Sequence, residues 1–169
     1  MAPARAAMER AQALAPGLPA REASHLAMYA KLLAGQGAAA LAAAREHLKD
    51  WPRDAMVLSP CTSVFGLIGF SGRAGREREQ VELLDAHATH YGSDWWFNAQ
   101  HAFALLEVGE HDAALPKIEG AMAAQPRNAH GAHIRAHLFY EMGEGAASYD
   151  YLRGLMPDYP RDGQLHCHI

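Results

Sequence analysis

The chain has 169 residues, half of them hydrophobic, and a formal net charge of −4 from 15 basic and 19 acidic residues. This length suits one domain or one array of small repeats sharing a core. The mild charge provides no strong basic field to attract nucleic acid or an anionic membrane. Its two cysteines, Cys61 and Cys167, form no CxxC pair, which favours a reducing cytoplasm over a disulfide-bonded secreted domain. We therefore expect a cytoplasmic protein with no nucleic-acid partner and no membrane partner.

The first 19 residues alternate alanine with charged side chains and break at Pro16-Gly17. Charge interrupts their apolar part, so they make a poor secretory signal, and residues 1–19 are predicted to be a helical or frayed lead-in. Beyond them, runs such as GAAALAAAREHL (37–48) are strong helix formers, and no alternating strand pattern persists. The sequence predicts an all-α protein.

Glycine and proline then recur with a regular period. Gly35, Gly72, Gly109 and Gly143 are separated by 37, 37 and 34 residues. Glycine in such positions ends one helix and turns into the next. Three prolines mark the ends of second helices, in WPRDA (51–55), QPRNA (125–129) and YPRDG (159–163), where Asp54, Asn128 and Asp162 are predicted helix caps. Ser93 or Asp94 is the predicted cap where this proline is missing.

A two-helix unit of about 34 residues has the tetratricopeptide period. We therefore predict an α-solenoid of tandem tetratricopeptide-like helix hairpins that forms a right-handed superhelix. Its four helix pairs occupy about 20–50, 54–91, 94–125 and 128–157, within 20–161. Residues 162–169 are the predicted start of a truncated fifth repeat, which leads us to expect a segment of a longer protein.

Three stretches resemble the tetratricopeptide repeat protein 38 family: AFALLEVGEHDAA (102–114), RNAHGAHIRAHLFYEMGE (127–144) and DGQLHCHI (162–169). His133 and His137 match an HxxxH pair of that family, Glu141-Met142 matches its following "E-M", and His168 resembles the first histidine of a later pair. Residues 19–41 also resemble the middle of the family, whereas CTSVFGLIGF (61–70) departs from it. The resemblance implies a wide, irregular repeat array and no established reaction.

One helix face is unusually rich in histidine. His130, His133, His137 and Glu141 have the spacing of residues that share a helical face, with Tyr140 at its edge. In tetratricopeptide arrays the first helix of each pair lines the concave groove, and the resemblance to them places this face in the groove together with residues of the preceding pair. The predicted ligand groove comprises Trp96, Phe103, His130, His133, His137, Tyr140 and Glu141. The neighbouring Trp95 is expected to pack in the core.

These residues lead to two functional hypotheses and one structural alternative, in which the array is purely structural and its own flanking helices fill the groove in the intact protein. The first is a binding and scaffold module whose aromatic and imidazole-rich groove holds a protein, peptide or small ligand, without a cofactor. The second is a metal-dependent, hydrolase-like enzyme in which His133, His137 and His168 bind a divalent ion such as zinc, with Glu141 as a ligand or general base. Zinc needs three or four N, O or S ligands at ~2.0–2.3 Å, and the sequence fixes only two. No Ser/His/Asp arrangement is evident, so the sequence favours binding and assigns no catalytic residue.

Overall fold

A computed structural model describes residues 2–166, apart from the side chains of Gln164 and His166. This part of the chain is helical and contains no β-strand, which confirms the all-α class. None of its helices combines the length and the apolar character that crossing a membrane requires. The chain divides into two compact units, Met1–Gln80 and Val81–Ile169.

The first unit is built around one helix pair. Helix α1 (Ala2–Ala13) has no buried residue and contacts α2 (Ala20–Leu33), which packs on α3 (Gly37–Asp50). The short α4 (Ala55–Leu58) comes next, then the 3-10 turns Ser59–Cys61 and Gly69–Ser71, and then the beginning of α5 (Arg76–Tyr91). The core of the unit is formed by Met28, Ala40, Ala44, Leu48, Val57, Leu58 and Ile68, none more than 2% exposed. Alanines between the larger side chains let α2 and α3 approach closely.

The second unit contains two helix pairs after the end of α5. Helix α6 (Trp95–Glu107) packs on α7 (His111–Ala124), and α8 (Ala129–Glu141) packs on α9 (Gly145–Leu155). Helix α8 also contacts α6, α7 and the short α10 (Gly163–His166), which comes after the 3-10 turn Met156–Asp158. Small and large side chains alternate in the core, with Ala102, Leu105, Ala114, Ile118 and Ala121 all buried. Consecutive pairs therefore lie against each other in this unit.

The turns inside the helix pairs share one hydrogen-bonding pattern. At the α6–α7 turn, Gly109 has φ +76°, its N–H donates to the Leu106 carbonyl at 2.9 Å, and the Glu110 N–H donates to the Leu105 carbonyl at 2.9 Å. The turns at Gly35 and Gly143 repeat both bonds and the positive φ. This is the glycine C-cap predicted from the sequence, because a left-handed residue satisfies the last carbonyls of the helix at little cost only when it lacks a Cβ.

Three of the predicted helix caps are present, and one prediction is wrong. The side chains of Asp94, Asn128 and Asp162 accept hydrogen bonds from the N–H groups three residues later, at 2.9, 3.1 and 3.1 Å. Asp54 precedes α4 in the same way but makes no such bond. Its carboxylate instead receives hydrogen bonds from Arg21. Hydrogen bonds from a residue that is distant in the sequence thus take the place of the local helix cap at Asp54.

The segment after Asp54 differs from the helix pair expected over 54–91. Instead of a full first helix it has α4, the two 3-10 turns and a non-regular stretch to α5. The chain folds back tightly here: the Leu67 N–H donates to the Pro60 carbonyl at 2.8 Å, and Ser63 has φ +69°. A Cβ on Gly66 would overlap the Thr62 carbonyl oxygen, so only glycine allows this approach. A non-regular segment with close backbone contacts at Pro60 and Gly66 therefore stands where the first helix of this pair was expected.

Candidate functional site

The predicted histidine face is present on α8 and continues onto α6. The His133 and His137 rings are 4.8 Å apart between centroids, and the His130 and His133 rings 6.5 Å apart. The Phe103 ring on α6 contacts His130 edge-on at 6.3 Å. All four side chains are half-buried. We call Phe103, His130, His133 and His137 the imidazole ladder.

The opposite side of α8 explains why the histidines share one direction. Ala132, Ile134, Ala136 and Leu138 are each 1% exposed and form the packing face. Arg135 forms a salt bridge with Glu119 on α7, in which Nε and Nη2 donate to the two carboxylate oxygens at 2.6 and 3.1 Å. Its guanidinium also lies 4.3 Å from the Tyr151 ring centre on α9. Helix α8 is thereby held in one rotation about its axis.

Burial makes two rings of the ladder harder to protonate. It lowers the pKa of His130, and it lowers the pKa of His137 against the opposing effect of the nearby Glu141 carboxylate. The two rings are therefore more neutral near pH 7 than exposed imidazoles. A neutral imidazole has one N–H donor and one nitrogen acceptor, so the ladder offers both kinds of hydrogen bond beside apolar ring edges.

The other predicted groove residues lie outside this chain of ring contacts. The Trp96 ring contacts Tyr91 at 6.0 Å between centroids, Tyr140 is 69% exposed, and Glu141 is exposed. The expectation that Trp95 packs in the core is wrong, because its side chain is 37% exposed. Phe97, 1% exposed and stacked on Tyr91 at 4.4 Å, fills that place.

Two of the three proposed metal ligands lie within the described residues. The adjacent His133 and His137 rings supply two nitrogens on successive turns of α8, but His168 lies outside the described residues. Among the residues that are described, no group of three or more His, Cys, Asp or Glu side chains is placed to hold a metal ion. Two imidazoles alone fall short of the three protein ligands of a catalytic zinc site. The metal hypothesis stays a prediction.

The first unit contains a polar network that the sequence pattern did not predict. Arg21 donates to Asp54 Oδ2 through Nε and Nη2 at 3.1 and 2.8 Å, and His47 Nε2 lies 3.2 Å from the same oxygen. His25 Nδ1 is 3.5 Å away, and Ser24 Oγ lies 2.5 Å from His47 Nδ1. Burial raises the pKa of Asp54, but Arg21, with help from His25 and His47, outweighs it and leaves that pKa below the ordinary value. The carboxylate is therefore held ionised.

This network corrects the view that the chain has no Ser/His/Asp arrangement. Ser24, His47 and Asp54 contact one another in the order of a nucleophilic triad. The His47 side chain is 0% exposed, however, and the Ser24 hydroxyl also donates to the Arg21 carbonyl at 3.1 Å. The same carboxylate oxygen is shared with Arg21 and His25. The arrangement fastens α2 to the corner after α3, and we assign it a structural role.

No protein-family model, no curated protein and no solved structure matches this chain. The resemblance to the tetratricopeptide repeat protein 38 family therefore stays a prediction from the sequence.

Proposed function

We propose that this protein is a cytoplasmic tetratricopeptide-type binding module. In this proposal its helix pairs continue as a right-handed solenoid, and the α6–α8 surface holds a peptide segment of a partner protein. The same glycine turn inside three helix pairs and the packing of α8 on both α6 and α7 support the repeat. The sparse cysteine content supports the location.

The imidazole ladder is the observation that carries the proposal. Its four rings form a continuous series from α6 to α8, half-exposed on one side and fixed by helix packing on the other. Rings with few rotatable bonds lose little entropy on binding and supply a large contact area. The ladder therefore has what a recognition surface needs: apolar area, oriented hydrogen-bonding groups and little cost of ordering.

The chemistry of the ladder defines the ligand class. Rings kept neutral near pH 7 favour an uncharged segment with aromatic or aliphatic side chains and amide groups. Such a segment gains ring–ring contact with Phe103 and His130 and hydrogen bonds with the imidazole nitrogens. Two exposed residues, Tyr140 and Glu141, extend the polar end of the surface.

Selection from a phage-displayed library of random peptides tests the proposal. Peptides enriched on the wild-type protein should bind Phe103→Ala/His137→Ala at least about ten-fold more weakly by fluorescence anisotropy, because the double variant removes both ends of the ladder. Tyr149→Ala removes an exposed aromatic ring from α9 and serves as the matched control. Far-UV circular dichroism checks that all three proteins keep their helix content. Equal affinity of the double variant and the control for every selected peptide would refute the ladder as the binding site.

A metal-dependent hydrolase is the second candidate, favoured by the 4.8 Å separation of the His133 and His137 rings. Zinc bound by this pair and a third ligand would activate a water molecule for attack on a carbonyl group. Calorimetric titration with zinc chloride should then show one site that is lost in His133→Ala/His137→Ala. Binding of less than about a tenth of an equivalent, unchanged in the variant, excludes the metal site.

A further inference from the structure

A wide apolar cleft lies in the first unit and shares no lining residue with the proposed ligand surface. It has a volume of about 1220 Å³ and lies between the end of α2, one face of α3 and the non-regular segment after α4. Its apolar lining includes Leu32, Ala39, Ala42, Phe65, Leu67 and Phe70. Ligand sites in proteins are typically concave and mainly apolar, with volumes of roughly 300–1,000 Å³. This cleft is large enough for a ligand with a long hydrocarbon portion.

Two phenylalanines stand in the cleft with most of their surface in water. Phe65 is 76% exposed and Phe70 72% exposed, and their rings are 5.9 Å apart between centroids. Exposing two adjacent apolar rings is unfavourable unless something covers them in use. A bound apolar group would therefore cover these two rings and remove their apolar surface from water.

The backbone around these rings is held in an unusual conformation. Ser63 has φ +69°, a value rare for a residue with a side chain. A Cβ on Gly69 would lie 2.5 Å from the Val64 carbonyl oxygen, and one on Gly66 even closer to Thr62. Strained and closely packed backbone persists where the surrounding structure fixes it, often at ligand sites. This segment presents Phe65 and Phe70 in a preorganised arrangement.

The charged side chains in the cleft are mainly basic. Lys31, Arg45 and Arg73 line it together with one acidic residue, Glu46. Arg45 and Arg73 both contact the carboxylate of Glu79, at 2.6 Å each, so two cations share one anion. Glu46 is itself paired with Lys49 at 2.7 Å. The balance of charge is positive, which is complementary to a small anionic group.

We propose that this cleft binds a free long-chain carboxylate, with its hydrocarbon chain against the α3 alanines and the two phenylalanines. Its anionic head lies near Lys31, Arg45 and Arg73. The site is independent of the peptide-binding function proposed for the imidazole ladder. Burying the chain covers the exposed rings, and the carboxylate offsets part of the excess positive charge.

Titration of the intact chain with cis-parinaric acid, a fluorescent long-chain carboxylate, tests this proposal below the micelle concentration of the probe. The wild type should show saturable binding of one equivalent, and Phe65→Ser/Phe70→Ser should bind at least about ten-fold more weakly because it loses two aromatic contacts. Leu14→Ser/Met56→Ser removes two exposed apolar side chains outside the cleft and should bind as the wild type does. No saturable binding by the wild type, or equal binding by the two double variants, overturns the proposal.

A second pair of measurements tests the anionic head and keeps the test independent of the phenylalanines. Ala42 is an exposed residue of the cleft, and Ala42→Glu should abolish binding by adding a carboxylate there. Lys31→Gln/Arg73→Gln should weaken binding of the carboxylate probe several-fold and leave binding of its uncharged methyl ester unchanged. Equal losses for acid and ester overturn the assignment of the head group.

A third set of measurements distinguishes a free carboxylate from a membrane surface and from a second copy of the chain. Vesicles of phosphatidylcholine with phosphatidylserine should not sediment the protein, since the proposed ligand is a single molecule in solution. Sedimentation with such vesicles in the absence of probe binding would make the two phenylalanines a membrane-contact feature and overturn the proposal. A dimer that Phe65→Ser/Phe70→Ser dissociates, again without probe binding, would assign the surface to a second copy of the chain and overturn it too.

Discussion

Two corners of the molecule have nearly the same sequence and use it differently. The chain turns through WPRDA after α3 and through QPRNA after α7. Asn128 caps the next helix through the Gly131 N–H, whereas Asp54 directs its carboxylate to Arg21, His25 and His47. The local sequence allows a cap at both corners. The side chains that surround each corner decide whether the cap forms.

The segments after the two corners differ as well. The capped helix α8 runs for 13 residues and carries the three histidines of the imidazole ladder. The uncapped helix α4 has four residues and leads into the segment that forms the apolar cleft. One corner therefore precedes a regular helix that presents side chains, and the other precedes irregular backbone that lines an open cleft. The two proposed sites therefore follow corners of nearly the same sequence but are built from different backbone structures.

The largest effect is expected at the Asp54 corner. Asp54→Ala removes the buried carboxylate that Arg21, His25 and His47 all contact, and it leaves the 0%-exposed His47 ring without this partner. Since hydrogen bonds to charged groups contribute about 1.5–3 kcal/mol, we expect the free energy of unfolding to fall by about 2–3 kcal/mol. Urea denaturation followed by far-UV circular dichroism measures this loss.

The matched control for that prediction is Asp150→Ala, which removes an exposed carboxylate in the second unit. Its free energy of unfolding should stay within about 0.5 kcal/mol of the wild-type value. If Asp54→Ala is as mild as this control, the network does not fasten the corner. The structural role given to Ser24 and His47 is then lost as well.

A smaller effect is expected at the Asn128 corner. Asn128→Ala leaves the Gly131 N–H without its side-chain acceptor and should lower the free energy of unfolding by about 1 kcal/mol, the usual contribution of an N-cap. Asn128→Asp keeps the acceptor and should restore most of this stability. The same denaturation experiment checks both variants. A loss at Asn128 as large as that at Asp54 would mean that the two corners do not differ.

The helical class and several helix ends could be predicted because their causes are local. Gly35, Gly109 and Gly143 end helices through the intrinsic freedom of glycine, which no distant residue has to supply. The spacing of Gly72 is equally regular, yet it comes after a segment without a full helix. That segment depends on close backbone contacts around Gly66, and repeat spacing carries no information about them. The positions of glycine therefore predict the turns better than they predict the structure of the segments between the turns.

The candidate sites were predictable to different degrees for the same reason. The histidine face of α8 results from helical spacing alone, so His130, His133 and His137 could be grouped from the sequence. The Asp54 network joins residues up to 33 positions apart, and no spacing rule brings Arg21 to Asp54. Its one sequence signal was His47, a histidine inside the packed face of α3 that needs a polar partner. The cleft had no such signal, because alanines and phenylalanines also describe an ordinary core.

The last and smallest expected effect is a difference in pH dependence between the two regions. His130 and His137 have lowered pKa values in the folded chain, so the unfolded chain binds more protons once the pH falls below about 6.5. Their contribution to stability is complete above that pH and is lost on acidification. Asp54 also has a lowered pKa, but its contribution is lost only as the pH falls below the ordinary carboxyl value of about 3.9.

These two windows can be separated by urea denaturation at a series of pH values. Between pH values of about 7 and 5, His130→Gln/His137→Gln should flatten the decline of the unfolding free energy, because glutamine takes up no proton there. Asp54→Asn should lower the unfolding free energy throughout this range, since the wild-type carboxylate is ionised in both the folded and the unfolded chain there. A wild-type slope that survives in the histidine variant would show that the ladder rings gain protons equally in both states, contrary to their burial on α8.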